Sequence, residues 1–411
     1  MSQDNADTPF RGYQLNSRQY FQIITALFLA GLATFALLYD VQPLLPELSR
    51  EFNIGADEAS LAVSVATFGI ACALLLAGPL SDRFGRRPII LASLYCSALT
   101  AVLIPFAPTW PILLTLRGLQ GIALAGLPAV AVAYLAEELL PKAQTRAAGI
   151  YIGGTALGGM AGRLLAGFSN EYVGWEYALL IVGILAVICA VSVHFLLPRQ
   201  RGFVAGSLGI KRLWKDTRLL ATDPVIVALY GVGGTLLGAT VGVFNVVGYQ
   251  MEELYHFTSG QISLLFLSYI IGSFTSTWAG RQASKYGLRT VLPITVFVMS
   301  VGTALLFFHS LWAIIAGLCL SVAGFFGAHG VASGWVALRG KASGGVTGQA
   351  AAGYSFFYYT GSSVFGYLIG VAWEYGWAAS VGLALVLTLV AFGLSIFLKG
   401  TTSLRHRLDF D

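Results

Sequence analysis

Apolar runs alternate with short polar breaks along nearly the whole chain. The runs fall at 20–45, 59–78, 88–106, 110–135, 146–168, 175–197, 224–248, 261–280, 290–308, 311–336, 347–371 and 377–398. Each is about long enough for a helix to cross a hydrocarbon core roughly 30 Å thick, and too long for a barrel strand. In lipid a backbone must satisfy its own hydrogen bonds, so runs of this length predict helices. The breaks are short except for 198–223, which divides six runs from six. The pattern predicts an all-α membrane protein with twelve transmembrane helices in two six-helix bundles. Its expected parts are an N-terminal tail (1–19), a first bundle (20–197), a basic linker (198–223), a second bundle (224–398) and a C-terminal tail (399–411).

Composition agrees. Of 411 residues, 56% are hydrophobic and 10% charged, against about 25% charged in soluble domains. The net charge of +5 is no sign of nucleic-acid binding, because it is unevenly spread. With the N-terminus in the cytoplasm, 21 of the 24 Lys and Arg fall in cytoplasmic tails and loops. Only Arg50 lies on the opposite side, and Arg117 and Arg163 lie within runs. The positive-inside rule therefore predicts both termini in the cytoplasm. The first twenty residues are polar, without the short apolar core of a signal peptide, so the first run is expected to direct its own insertion. Cys72, Cys96, Cys189 and Cys319 all sit in apolar runs and read as packing residues.

Between the second and third runs lies a dense polar knot, Gly78-Pro79-Leu80-Ser81-Asp82-Arg83-Phe84-Gly85-Arg86-Arg87-Pro88. A weaker copy, Gly280-Arg281-Gln282-Ala283-Ser284-Lys285-Tyr286-Gly287-Leu288-Arg289, follows the eighth run. Gly78 and Gly280 are 202 residues apart, as are Gly85 and Gly287, Arg87 and Arg289, and Gly174-Trp175 and Gly376-Trp377. One shared offset in corresponding loops points to duplicated halves of six spans each. Both halves then have the same orientation, a parallel repeat about an axis along the membrane normal.

The knot resembles the loop 2–3 signature of the major facilitator superfamily, G-x-L-x-D-R-x-G-R-[RK], through Gly78, Leu80, Asp82, Arg83, Gly85, Arg86 and Arg87. Arg117-Gly118-Leu119-Gln120-Gly121 is similar to the family's R-x-x-Q-G. Nearly the whole chain resembles the branch of drug:proton antiporters and arabinose-efflux transporters. The resemblance implies the major facilitator fold, a role for Arg117 in proton coupling, and a cytoplasmic gate at the knot that ties the halves together when the transporter opens outward. In the second copy Ser284 stands for Asp82 and Leu288 for Arg86, so the first copy carries most of the charge. The antiporter signature G-x-x-x-G-P-x-x-G-G is only partly met. Gly154, Gly158 and Gly162 match, but Gly159 replaces the proline and Arg163 the last glycine, which weakens the inference of an exporter.

Several residues are candidates on physical grounds. Asp40 is the one acid deep in any run, where an ionised carboxylate costs about 2.5–3.5 kcal/mol on insertion scales and is usually functional or paired. This makes it a candidate for proton coupling or substrate binding, with a water-reached salt-bridge partner as the rival reading. At 1.5 Å per residue, Asp40, Arg117 and Arg163 fall at similar depth in the outer half of the membrane, so Asp40 is expected to pair with one of the two cations. Two deep arginines against one deep acid leave a positive surplus that suits an anionic substrate; the alternative is an arginine that snorkels or binds a carbonyl. Gln120, Asn245, His329, Tyr354 and Tyr358 are further candidates to line a substrate site, each with ordinary packing as the rival reading. The glycine stripes 154/158/162 and 234/238/242 read as helix contacts.

No phosphate loop, metal-ligand cluster or nucleophile–base motif marks an enzyme, and no cofactor is expected. The sequence reads as a secondary transporter of a bacterial cytoplasmic membrane that moves a small organic molecule, most naturally outward in exchange for protons. Proton-coupled uptake of an organic anion and a non-transporting sensor are the alternatives. The expected partners are the small-molecule substrate, protons and the lipid bilayer, with no nucleic acid, and the expected unit is a monomer.

Overall fold

Proline and glycine punctuate the helices. In the computed structural model, which describes residues 10–203 and 210–400, Pro111, Pro141 and Pro224 stand in the first turns of helices, where a missing N–H costs no intrahelical bond. Gly85, Gly174, Gly287 and Gly376 end or bend helices with φ of +96°, +81°, +85° and +96°, a region that strains a residue with a Cβ. Gly85 and Gly287 keep the offset of 202 residues, and so do Gly174 and Gly376. The internal repeat is thus a repeat of backbone conformation.

Ten helices among the described residues are long and apolar enough to cross a membrane. In chain order they supply α1 (Arg18–Phe52), α2 (Ala56–Phe84), α3 (Arg86–Phe106), α4 (Trp110–Glu138), the pair α5 and α6 (Pro141–Leu196), α7 (Pro224–Tyr255), α8 (Ser259–Tyr286), α9 (Leu288–Leu305), α10 (Leu311–Ala342) and α12 (Trp377–Gly400). Helix Pro141–Leu196 is two spans in one, since Gly174 breaks it with non-helical angles. Between α10 and α12 lies α11 (Thr347–Trp373), whose many Gly, Ser, Thr and Tyr residues lower its hydropathy. With these, the twelve spans expected from the sequence are present. A helix at Ile210–Ala221 lies in the linker. Parts of the expected tails and linker, residues 1–9, 204–209 and 401–411, lie outside the described residues.

Large apolar side chains such as Phe195, Phe274 and Trp312 are exposed around the bundle, as a lipid-facing surface requires. Inside, small residues set the helix spacing. A Cβ on Gly154, Gly158 or Gly162 of α5 would lie 2.2–2.6 Å from backbone atoms of Phe28, Leu32 and Ala36 on α1. In the second half the stripe is on the other partner: Gly234, Gly238 and Gly242 of α7 face Phe357, Gly361, Phe365 and Ile369 of α11.

The hydrogen bonds that join the halves gather at the end of the bundle opposite the knot. Asn170 Nδ2 donates to Ser259 Oγ at 3.0 Å, and Ser49 and Tyr249 share a hydroxyl bond of 2.6 Å. Arg50 pairs with Glu252. The Glu171 carboxylate accepts from Gly260 N at 3.0 Å and from the Thr258 hydroxyl, so an acid of the first half caps the N-terminus of α8 in the second, where a negative charge is favoured.

Candidate functional site

The chain Leu38-Tyr39-Asp40-Val41-Gln42-Pro43 breaks α1 inside the bundle. Its α-helical turns stop at Tyr39, a short 3₁₀ turn covers Gln42–Leu44, and Leu45–Phe52 resumes. Such a break leaves the last carbonyls without intrahelical partners. Arg117 of α4 supplies the donors. Its Nη1 donates to Leu37 O at 2.8 Å and its Nη2 to Leu38 O at 2.8 Å, while Nε reaches Ala62 O of α2 at 2.9 Å. The neighbouring glycine makes this reach possible. A Cβ on Gly121 would lie 2.1 Å from Ala66 O, so α4 touches the α2 backbone one turn from Arg117.

Asp40 accepts from Arg117 Nη1 at 3.2 Å, and Gln120 Oε1 accepts from the same nitrogen at 2.6 Å. Arg117 is 0% and Asp40 3% exposed, so the ion pair is shielded from water and salt. The expected pairing of Asp40 with one cation is therefore present, and the partner is Arg117. The same guanidinium thus caps a broken helix and pairs with the acid.

Arg163 of α5, the other cation at this depth, does not pair with the acid. Its Nε donates to Gln42 Oε1 at 2.7 Å and its Nη1 to Gly159 O at 2.7 Å. Its guanidinium carbon lies 4.3, 4.7 and 4.8 Å from the ring centres of Tyr39, Phe266 and Tyr269, within cation–π range. Gln42 Nε2 in turn donates to Asn245 Oδ1 of α7 at 2.7 Å. Asn245 thus joins the site through a glutamine that the sequence reading did not single out. Phe266 and Tyr269 were missed too. Phe266 lies within, and Tyr269 just after, a second helix break, the 3₁₀ turn Leu265–Leu267 inside α8.

His329, Tyr354 and Tyr358 form a second group, on α10 and α11. His329 Nδ1 and Tyr354 Oη are 3.0 Å apart, and the His329 and Tyr358 ring centres 4.6 Å. Tyr269, Phe326, Phe325 and Tyr358 connect this group to Arg163 ring by ring, with centre distances of 5.6, 5.1 and 6.4 Å.

The knot stands apart from both groups. Arg86 pairs with Asp82, bonds Ser81 Oγ, and donates to Glu137 Oε1 at 2.8 Å. Arg87 donates to Leu197 O at 2.9 Å and His194 O at 2.8 Å, and Arg83 lies over Phe84. These side-chain partners all belong to the first half, and Asp82 is half exposed. Among the described residues these side chains make no bond to the second half, and the hydrogen bonds between the halves lie toward the other end. Glu137, which takes much of the charge of Arg86, was not foreseen. Gly85 needs its positive φ, whereas a side chain at Gly78 would meet open space.

Comparison with known proteins gives a consistent answer. The family model described as Major Facilitator Superfamily matches residues 23–251. The chain is 38% identical to the MFS-type transporter YybF of Bacillus subtilis over 92% of this chain and 93% of that one. It is 40% identical to the inner membrane transport protein YnfM of Escherichia coli over 90% of each. A crystal structure of a D-xylose-proton symporter superposes with a TM-score of 0.74 at 16% identity, covering 92% of this chain and 97% of that one.

Proposed function

This chain belongs to the major facilitator superfamily, and from that premise we propose a secondary active transporter that works as a monomer and exports a small organic molecule in exchange for protons. Membership makes it a multi-pass membrane transporter. The finer reading rests on one observation: a buried Asp40–Arg117 pair at a broken helix, beside a relay that crosses from one half to the other. Broken helices near mid-membrane are a common way for transporters to form binding sites. Asp40 is the proton carrier in this reading. When it takes a proton the pair loses its attraction, Arg117 keeps its carbonyl acceptors, and the break in α1 is free to shift. The likeness to an inner membrane transport protein supports a bacterial inner membrane, with the knot, the linker and both termini in the cytoplasm by the charge count. Alternating access then follows from rocking of the halves, and the bonds at the far end belong to a state closed to the outside.

A second reading, proton-coupled uptake of an organic anion, is favoured by Arg163, which stands where the antiporter signature has glycine. Reconstituted vesicles separate the two. With an inward proton gradient imposed, an exporter drives substrate out as protons enter, whereas a symporter carries substrate in with the protons. In either case Asp40→Asn keeps an acceptor for Arg117 and removes the titrating group. Gradient-driven substrate movement is expected to vanish while substrate exchange persists. Gradient-driven movement at the wild-type rate would remove Asp40 as the proton carrier.

A further inference from the structure

The two deep arginines are neutralised unequally. Arg117 has Asp40. Arg163 is 1% exposed, yet no carboxylate of the described residues lies within ion-pair distance of it; its contacts include an amide, a backbone carbonyl and three rings, with the polar end of Tyr269 also turned toward it. A buried charge without a counter-charge is costly, and rings offset only part of that cost. The site therefore holds one positive charge in excess.

The direction of the hydrogen bonds sharpens this. Arginine can only donate, so Gln42 must present Oε1 to Arg163 and Nε2 to Asn245. Asn245 must then accept with Oδ1, which leaves its Nδ2 as a spare donor. That Nδ2 and the Nη2 of Arg163 are buried and without a hydrogen-bond partner among the described residues. The relay thus begins and ends in unfilled N–H groups and lacks negative charge. Its cation is on the first half and Asn245 on the second, with a break of α1 on one side and of α8 on the other. Parting the halves would uncover it.

We propose that Arg163 is the anchor for the carboxylate of a small organic acid, a monoanion whose apolar or aromatic body lies against Tyr39, Phe266 and Tyr269. One excess charge matches a monocarboxylate better than a doubly charged phosphate. The inference rests on the transporter reading and assigns the substrate class of that site, whichever way the substrate moves.

The test is thermal unfolding of the purified full-length protein with benzoate, salicylate and phenylacetate, each beside its neutral amide. At least one acid is expected to raise Tm while its amide does not, because a ligand that binds the native state stabilises it. In Arg163→Gln the apparent Kd should weaken about tenfold or more, the worth of a charge-assisted bond. Gln42→Glu serves as the second variant. It sets a carboxylate where Gln42 Oε1 already lies, 2.7 Å from Arg163 Nε, and Asn245 can turn to donate to it. This variant should unfold at a higher temperature than the wild type and no longer respond to acids. The proposal is overturned if none of the three acids shifts Tm, if the amides shift it equally, or if Gln42→Glu responds like the wild type. Vesicle flux separates it from the transporter reading. A neutral or cationic compound carried at full rate by Gln42→Glu removes the anion site and leaves transport intact. Acid binding without flux of that acid removes transport and leaves the site.

Discussion

Arg117 is placed by what it can donate. Its planar fork meets two freed carbonyls of α1, one carbonyl of α2, the Asp40 carboxylate and the Gln120 amide. A lysine has the same charge but a single nitrogen with three donors, so Arg117→Lys must leave at least two buried acceptors unmet. Each unmet buried group costs about 1–3 kcal/mol. The expected outcome is a Tm several degrees lower together with impaired transport; an unchanged Tm would deny Arg117 its capping role. At this scale the sequence was informative about candidates and poor at pairing them. Depth along the runs brought Asp40, Arg117 and Arg163 to one level, but depth carries no information about rotation around a helix. That rotation gave Arg117 to Asp40 and Arg163 to Gln42.

Among the elements, glycine decides which helices can touch. The small-residue stripe of α5 was legible because its period of four matches one helix face, but its partner was not. The contrast within α5 makes a test. A Cβ on Gly158 would lie 2.2 Å from Leu32 O, whereas one on Gly153 would meet open space. Gly158→Val is expected to drive α1 and α5 apart, lowering Tm and the yield of monodisperse protein, since overpacking typically costs 1–3 kcal/mol or more. Gly153→Val should behave like the wild type in the same gel-filtration and unfolding measurements. Equal damage from both would mean that helix propensity, not contact, explains the stripe.

For the whole molecule, the proposed alternating access needs a second state beside this one. Here the far end is closed by Asn170, Glu171 and Arg50 against α7 and α8, and Gly167 permits that approach. A Cβ there would lie 1.7 Å from Ser263 Oγ and 2.7 Å from the backbone oxygen of Ser259; the first clash can be relieved by rotation, the second cannot. Gly167→Val should wedge the far end open. Cysteines introduced at Asn170 and Ser259 would report this, cross-linking readily in the parent protein and poorly when Gly167→Val is added. Equal cross-linking in both would show that the contact does not limit closure. A wedge that opens one end should also favour closure of the other, where Asp82 and Arg86 then have a second half to meet.

The sequence by itself determined the spans, their division into two halves and the repeat that relates them. In lipid each helix must satisfy its own backbone, so apolar length and punctuation by glycine and proline act locally and can be read locally. The positive φ at Gly85, Gly174, Gly287 and Gly376 turned an offset read from letters into a repeated turn. It also named the polar residues worth watching, because burying them is costly wherever they point. Only the tertiary structure decided which groups meet: Gln42 between Arg163 and Asn245, Glu137 on Arg86, and Phe266 and Tyr269 around a cation from the other half. These partners lie up to about two hundred residues apart. They are ordinary glutamine, glutamate and aromatic residues, chosen by helix rotation and by the breaks in α1 and α8, and nothing local in the chain marks them.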